Sequence, residues 1–303
     1  MERDDSRGRP IRDRRVSDKN FRALAGVGET ATMSPHVLLM DNGSLEPAST
    51  WQLRKIADEL QARLGWSVDP VSLAHSDKIP TDALAGKPAE LFEAALDRLI
   101  RNGVTELVVT PLFIGSSHAI TRHVPALIAE RKKRHSTLRI KMAPPLFVPG
   151  ETRLGEVLAD HVREQLSDDV RPRVAIVDHG SPARVVTQAR DTVTNQVREL
   201  LGDRVNAVAA CSMERRPGAE FDFNEPLLET LLSRARWQVE PVIVGTMFIA
   251  PGRHAGPDGD IAQICRIARR GAMNDVKLTR VMGSHPKLLD ILVDRVRDSR
   301  VVA

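Results

Sequence analysis

The sequence predicts an α/β protein in two similar halves, each a parallel sheet of about four strands flanked by helices, related by an internal duplication. Three observations lead there. Short apolar runs alternate along the chain with segments of helical periodicity, the pattern of βαβ units. Residues 37–44 (VLLMDNGS) parallel residues 174–181 (VAIVDHGS), and residues 107–118 (LVVTPLFIGSSH) parallel residues 242–254 (VIVGTMFIAPGRH). The offsets, 179 − 42 = 137 and 254 − 118 = 136, are those of one domain-sized repeat.

The first half opens after a polar lead over residues 1–34. Residues 36–41 are apolar enough for a buried strand. Leu53, Ile56, Leu60 and Leu64 recur at helical spacing over 50–64, and 67–73 predict a second strand. A helix over 91–101 is closed by Asn102 and Gly103. A strand over 107–113, a helix over 123–134 and a strand over 138–143, stopped by Pro144 and Pro145, complete this half. A helix over 152–166 bridges the halves and 167–173 form a polar linker, so domains are expected at 35–166 and 173–303. The second half repeats the order: strand 174–178, helix 186–201, strand 205–210, helix 225–235, strand 239–247, helix 261–270, strand 275–281 and a terminal helix over 285–297.

Composition narrows the function. Charged residues make up 28% and hydrophobic ones 42% of 303 residues, an ordinary globular mixture long enough for two cores. Aromatics at 3%, with no tyrosine, argue against base stacking, so no nucleic-acid partner is expected. The formal charge of +4 owes much to Arg3, Arg7, Arg9, Arg12, Arg14 and Arg15, which read as a disordered basic tail. Glu2, Asp4, Asp5 and Asp13 lie among them and no apolar stretch follows, unlike a secretory signal or transit peptide. Cys211 and Cys265 form neither a disulfide framework nor a CxxC pair, and no run approaches the roughly 18 apolar residues of a membrane span. A cytoplasmic protein without a membrane partner is expected. No GxGxxG follows a strand and no Walker-type loop is present, so nucleotide cofactors have no support.

The candidate chemistry lies at strand ends. His179, in Asp178-His179-Gly180-Ser181, closes one apolar run, and His254 follows another in a loop holding Gly252, Gly256, Gly259, Pro251 and Pro257. Polar residues at such places project into the crevice where open α/β sheets bind ligands. Glu214, after the strand over 205–210, faces the same crevice and completes a His, Glu, His set suited to a borderline divalent metal. The bland readings are a histidine bonded to a neighbouring loop and a glutamate paired with Arg215 or Arg216. Asp258 and Asp260 read as caps of the helix that follows. In the first half Asn42, His75 (214 − 75 = 139) and His118 take the matching places, and His123 stands where a capping Asp would be. Ser181 as a hydrolase nucleophile lacks a GxSxG elbow and a third triad partner.

These motifs and the duplication resemble the class II chelatases, specifically the sirohydrochlorin chelatases of cobalamin and sirohaem synthesis, from residue 35 to 297. The resemblance implies two fused chelatase-like, Rossmann-like domains. It implies insertion of a divalent ion, Co²⁺ or Fe²⁺, into an anionic tetrapyrrole, without ATP or any cofactor beyond the substrate metal. His179, Glu214 and His254 match the family's metal-binding and catalytic residues, with Asp178 where the family has glycine. Ser181, Arg184, Arg215, Arg216 and Arg253 would contact the substrate carboxylates. The first half reads as degenerate, because the Asn42 amide is a poor base and ligand, with His75 and His118 a secondary metal site at most. The alternative is a non-catalytic carrier or sensor of metal or tetrapyrrole derived from a chelatase. Oligomeric state is left open.

Overall fold

The structure, a computed structural model, describes residues 35–270 and 275–299; the expected basic tail over 1–34 lies outside the described residues. Strands β1 (His36–Asp41), β2 (Val68–Ser72), β3 (Glu106–Pro111) and β4 (Arg139–Met142) form one parallel sheet in the order β2-β1-β3-β4. Strands β5 (Arg173–Asp178), β6 (Ala207–Ser212), β7 (Val242–Thr246) and β8 (Val276–Leu278) form a second in the order β6-β5-β7-β8. Even the register repeats: Asp41 pairs with Ser72 and Asp178 with Ser212.

Alternate residues of the central strands enter different cores, as strands buried on both faces require. Leu38 and Met40 pack outward with helices α2 (Phe92–Arg101) and α3 (Val124–Arg134). Ala175 and Val177 pack outward with α6 (Leu228–Leu232), α7 (Ala235–Val239) and α8 (Asp260–Arg270). Val37, Leu39, Val174 and Ile176 all enter one cluster shared by the halves. That cluster takes in α1 (Pro47–Leu64), α4 (Arg153–Arg163), α5 (Arg184–Leu201) and α9 (Pro286–Asp298).

The helices of this layer are exchanged. Helix α4 follows the first sheet but packs on α5 and β7 of the second, while α9 ends the second half and packs on α1 and β3 of the first. A Cβ on Gly155 would lie 2.6 Å from Gln196 Cβ, so glycine sets the close approach of α4 to α5. An ion-pair cluster locks the exchange from inside. The Arg295 guanidinium of α9 donates to Glu151 Oε2 at 2.8 Å and to the carbonyls of Pro145 and Leu146 at 3.1 and 3.0 Å. Arg153 Nε donates to Glu151 Oε1 at 2.8 Å. Burial alone would raise the Glu151 carboxyl, but hydrogen bonds and charge from Arg153 and Arg295 outweigh it and hold the group at about 2.

The segment expected as one helix over 225–235 is two short ones, α6 and α7, after a cis Glu225–Pro226 bond. The strand expected over 239–247 starts at Val242, because residues up to Val239 are helical and Pro241 has no N–H to give. Helix α3 begins at Val124, after a π-helical turn over Ala119–His123. Among the described residues no helix is long and apolar enough to cross a membrane.

Two outcomes follow from this packing. Arg295→Met strands Glu151 in the interior beside only Arg153 and should lower stability by roughly 3 kcal/mol in urea unfolding. His161 on α4 is fully buried, its ring 5.4 Å from that of His285, and burial, aided by the Arg280 charge, pushes it down to about 4. The folded state therefore refuses a proton that the unfolded chain takes below about 6.5. Its contribution is fully present above that pH and is lost as pH falls towards 4, on the order of 2–3 kcal/mol. His161→Leu should flatten the pH dependence of Tm across this window.

Candidate active site

Strands β5 and β6 keep pairing past their ends. The Asp178 carbonyl accepts from Met213 N at 2.8 Å and the His179 carbonyl from Glu214 N at 3.1 Å, which sets residues 179 and 214 side by side. Gly180 follows with φ +92, and a Cβ there would lie 1.9 Å from the Glu214 carbonyl oxygen, so only glycine makes this turn. His179 Nε2 consequently stands 3.5 Å from Glu214 Oε1, both side chains open to solvent. His179 Nδ1 lies 3.1 Å from the Gly180 carbonyl; donating there leaves the Nε2 lone pair free.

His254 comes from the loop between β7 and α8. Its ring centroid lies 4.8 Å from that of His179, at 77° between the planes. Its Nδ1 meets Asp260 Oδ2 at 2.7 Å, and Asp260 is the first residue of α8. The carboxylate fixes the tautomer and aims the other ring nitrogen away. The loop folds on itself through Gly256 N to Gly252 O at 2.8 Å and Asp260 N to Arg253 O at 3.1 Å. The expected His, Glu, His set is thus brought together as near neighbours, with Glu214 turned to His179 and not to Arg215. Among the described residues, no group of three or more His, Cys, Asp or Glu is arranged to hold a metal ion, and this set is no exception.

A cavity of about 510 Å³ lies against His179 and is walled by both halves: Asn42, Phe113 and His118 from the first, Arg216 and Phe248 from the second. Of the expected carboxylate-binding arginines, Arg216 lines this cavity and is exposed. Arg215 is tied to Glu225 at 2.7 Å and Asp222 at 3.3 Å. The Arg184 guanidinium stacks over Phe223 at 4.5 Å, and Arg253, 78% exposed, is 3.9 Å from Asp260. Ser181 Oγ accepts from Ala183 N at 3.1 Å, at the start of α5, and Ser181 lines the cavity with Gly180.

The model of the family described as CbiX matches residues 36–165 and again residues 173–299. The chain belongs to the CbiX family. It carries two fused copies of the family's domain and is a class II chelatase of the ATP-independent kind. No curated protein sequence matches it. Among solved structures it is similar to SirB from Bacillus subtilis with Fe³⁺, at 15% identity and a TM-score of 0.69, covering 88% of this chain and 96% of that one. The sirohydrochlorin chelatase SirB from Bacillus subtilis subspecies spizizenii, in complex with cobalt, matches at 16% identity and a TM-score of 0.67, covering 88% and 95%. CbiX, described as the terminal enzyme for biosynthesis of siroheme in denitrifying bacteria, matches at 15% identity and 0.55, covering 88% and 100%. At these identities the likeness establishes the fold.

The first copy of the CbiX domain repeats the backbone of the site but, of its three side chains, keeps only the histidine at His118. Leu73 N donates to the Asp41 carbonyl and Ala74 N to that of Asn42, and a Cβ on Gly43 would lie 1.7 Å from the Ala74 carbonyl oxygen. The residue in Glu214's place is therefore Ala74 and not His75, which is exposed one residue further on with φ +70. The turns differ by one residue, below what sequence offsets resolve. His75 does not line the interlobe cavity that His118 joins.

Sequence reasoning took Asp260 only as a helix cap and missed its bond to His254; the signal was a carboxylate closing a glycine-rich loop. It also passed over Arg190, a charge at a buried phase of α5 among Thr187, Val193 and Val197. Gly180→Ala should displace Glu214 from His179 and, with Gly43→Ala as a control of equal backbone strain, be the one of the two that weakens Co²⁺ binding in an absorption titration.

Proposed function

We propose that this chain inserts a divalent metal, Co²⁺ or Fe²⁺, into sirohydrochlorin, serving cobalamin or sirohaem synthesis, with the second half carrying the chemistry. The reading rests on one observation above others: two imidazoles from separate loops lie 4.8 Å apart, one of them 3.5 Å from Glu214, and of the three side chains His179 lines a cavity walled by both halves. Imidazole and carboxylate donors match a borderline divalent ion, and the metal here is a substrate to be released. The structurally similar SirB, a sirohydrochlorin chelatase seen with cobalt and with Fe³⁺, and CbiX of siroheme biosynthesis support the same chemistry.

His254, with Asp260 holding its Nδ1, presents a lone pair to the incoming ion. Insertion also requires two pyrrolic protons to leave the macrocycle. As the ion leaves them for the ring, His179 and Glu214, 3.5 Å apart and solvent-exposed, accept these protons and hand them to water. Phe113, Ile114 and Phe248 give the cavity apolar wall for the ring face, and Arg216 stands where it can clamp a peripheral carboxylate.

The test is anaerobic Co²⁺ insertion into sirohydrochlorin, followed by the tetrapyrrole absorption change. His254→Ala should lose on the order of 100-fold in kcat and Asn42→Ala should stay near wild type. Equal losses in both would remove the assignment to the second half, and ligand binding without turnover in the wild type would identify a carrier instead. Asp260→Asn should weaken Co²⁺ binding by about 10- to 100-fold. Arg216→Ala should raise KM for the tetrapyrrole with kcat held, the mark of lost uniform binding.

A further inference from the structure

Behind His179 lies a polar network that no step of the proposed chemistry uses. At its hub is Arg190 of α5, 2% exposed. Its Nη1 donates to Ser212 Oγ at 2.6 Å and to the Asn224 carbonyl at 3.3 Å, and lies 3.6 Å from Asp178 Oδ1. Ser212 Oγ donates in turn to Asp178 Oδ1 at 2.7 Å, and the same oxygen accepts from Gly180 N at 3.2 Å. Asn224 reaches the other end of the turn. Its Oδ1 accepts from Ser181 N at 3.0 Å, and its Nδ2 donates to the Ser181 carbonyl at 3.0 Å. Residues 178, 180 and 181 are thus fixed on both sides of His179 by partners that converge on one guanidinium.

The first half supplies the comparison. Helices α1 and α5 are each 18 residues long and start 137 apart (184 − 47), so Leu53 occupies the place of Arg190. Asp41, Ser72 and Thr50 repeat Asp178, Ser212 and Thr187, yet the hub is missing. Among the described residues Asp41 Oδ1 and Thr50 Oγ1 have no hydrogen-bond partner, and Ser72 Oγ accepts from Ser76. The half that keeps its histidine keeps the arginine; the half with Asn42 has lost both.

We propose that Arg190 is the positioning residue of the second-half site, holding the 178–181 turn so that His179 meets Glu214 and the metal. This rests on the chelatase reading for its turnover arm only. Because Arg190 lines the interlobe cavity, truncating it opens its space to small solutes. The experiment compares wild type, Arg190→Ala, Arg190→Lys and Ser212→Ala in Co²⁺ titration and in insertion kinetics, with and without millimolar methylguanidinium. Arg190→Ala should lose at least about tenfold in Co²⁺ affinity and in kcat, with KM for the tetrapyrrole within about twofold. Methylguanidinium should restore part of the loss in Arg190→Ala and none in His254→Ala, and lysine should not substitute, because its single ammonium cannot reach Ser212 and Asn224 while also holding Asp191, as the Arg190 Nε and Nη2 do at 2.9 and 2.7 Å. Folded Arg190→Ala with unchanged Co²⁺ affinity, or a loss that methylguanidinium leaves untouched, overturns the proposal. If Arg190→Ala does not fold, Ser212→Ala carries the test, and unchanged Co²⁺ affinity there overturns it. A wild type that binds Co²⁺ but inserts none defeats the chelatase reading while leaving the Co²⁺ arm to judge Arg190.

Discussion

The exchange of helices α4 and α9 is the constraint on which the rest depends. Each half sends its last helix across to the other's sheet, so neither sheet has a complete inner layer without its partner. The Glu151–Arg295 pair sits inside that crossing, and burying two charges is tolerable only because each is met by opposite charge or carbonyl oxygens. Sharing one core in this way fixes the distance and orientation of the sheets. It thereby fixes the cavity walled on one side by Phe113 and His118 and on the other by His179 and Phe248.

Within this frame the two copies have moved apart at the site more in chemistry than in backbone. The turn after the first strand, the glycine pressed on a carbonyl and the aspartate that ends the strand are present twice. What differs is a small set of side chains. The second copy has His179, Glu214 and an internal arginine; the first has Asn42, Ala74 and Leu53. Burial pushes Asp41 up to about 6, and it raises Asp178 as well, there against the opposing charge of Arg190. On the proposed reading the first copy serves as a wall: His118 and Asn42 line the cavity that His179 of the second copy joins.

Much of this was legible in the sequence, for identifiable reasons. Apolar runs ending in His-Gly-Ser and in a glycine-rich histidine loop marked strand ends, and offsets near 137 exposed the duplication before any contact was known. The same offsets misassigned His75, because a one-residue difference in the β2 turn lies within their scatter. The helix exchange left no trace, since α4 and α9 are ordinary amphipathic helices whichever sheet they cover. The break between α6 and α7 follows local turn geometry that apolar periodicity over 225–235 does not carry. The bond between His254 and Asp260 joins residues six apart in an irregular loop, where spacing has no fixed meaning. Arg190 was visible only as a charge out of phase in an apolar stripe, and the reason for it lies 34 residues away at Asn224.

The central claim is that the metal is handled by the second copy, at the wall of a cavity both copies build. Anomalous diffraction at the cobalt edge from crystals loaded with Co²⁺ tests it most directly. The account predicts a peak about 2.1 Å from ring nitrogens of His179 and His254, with Glu214 turned towards it. A peak held instead by His118 or His75 in the first copy would contradict it.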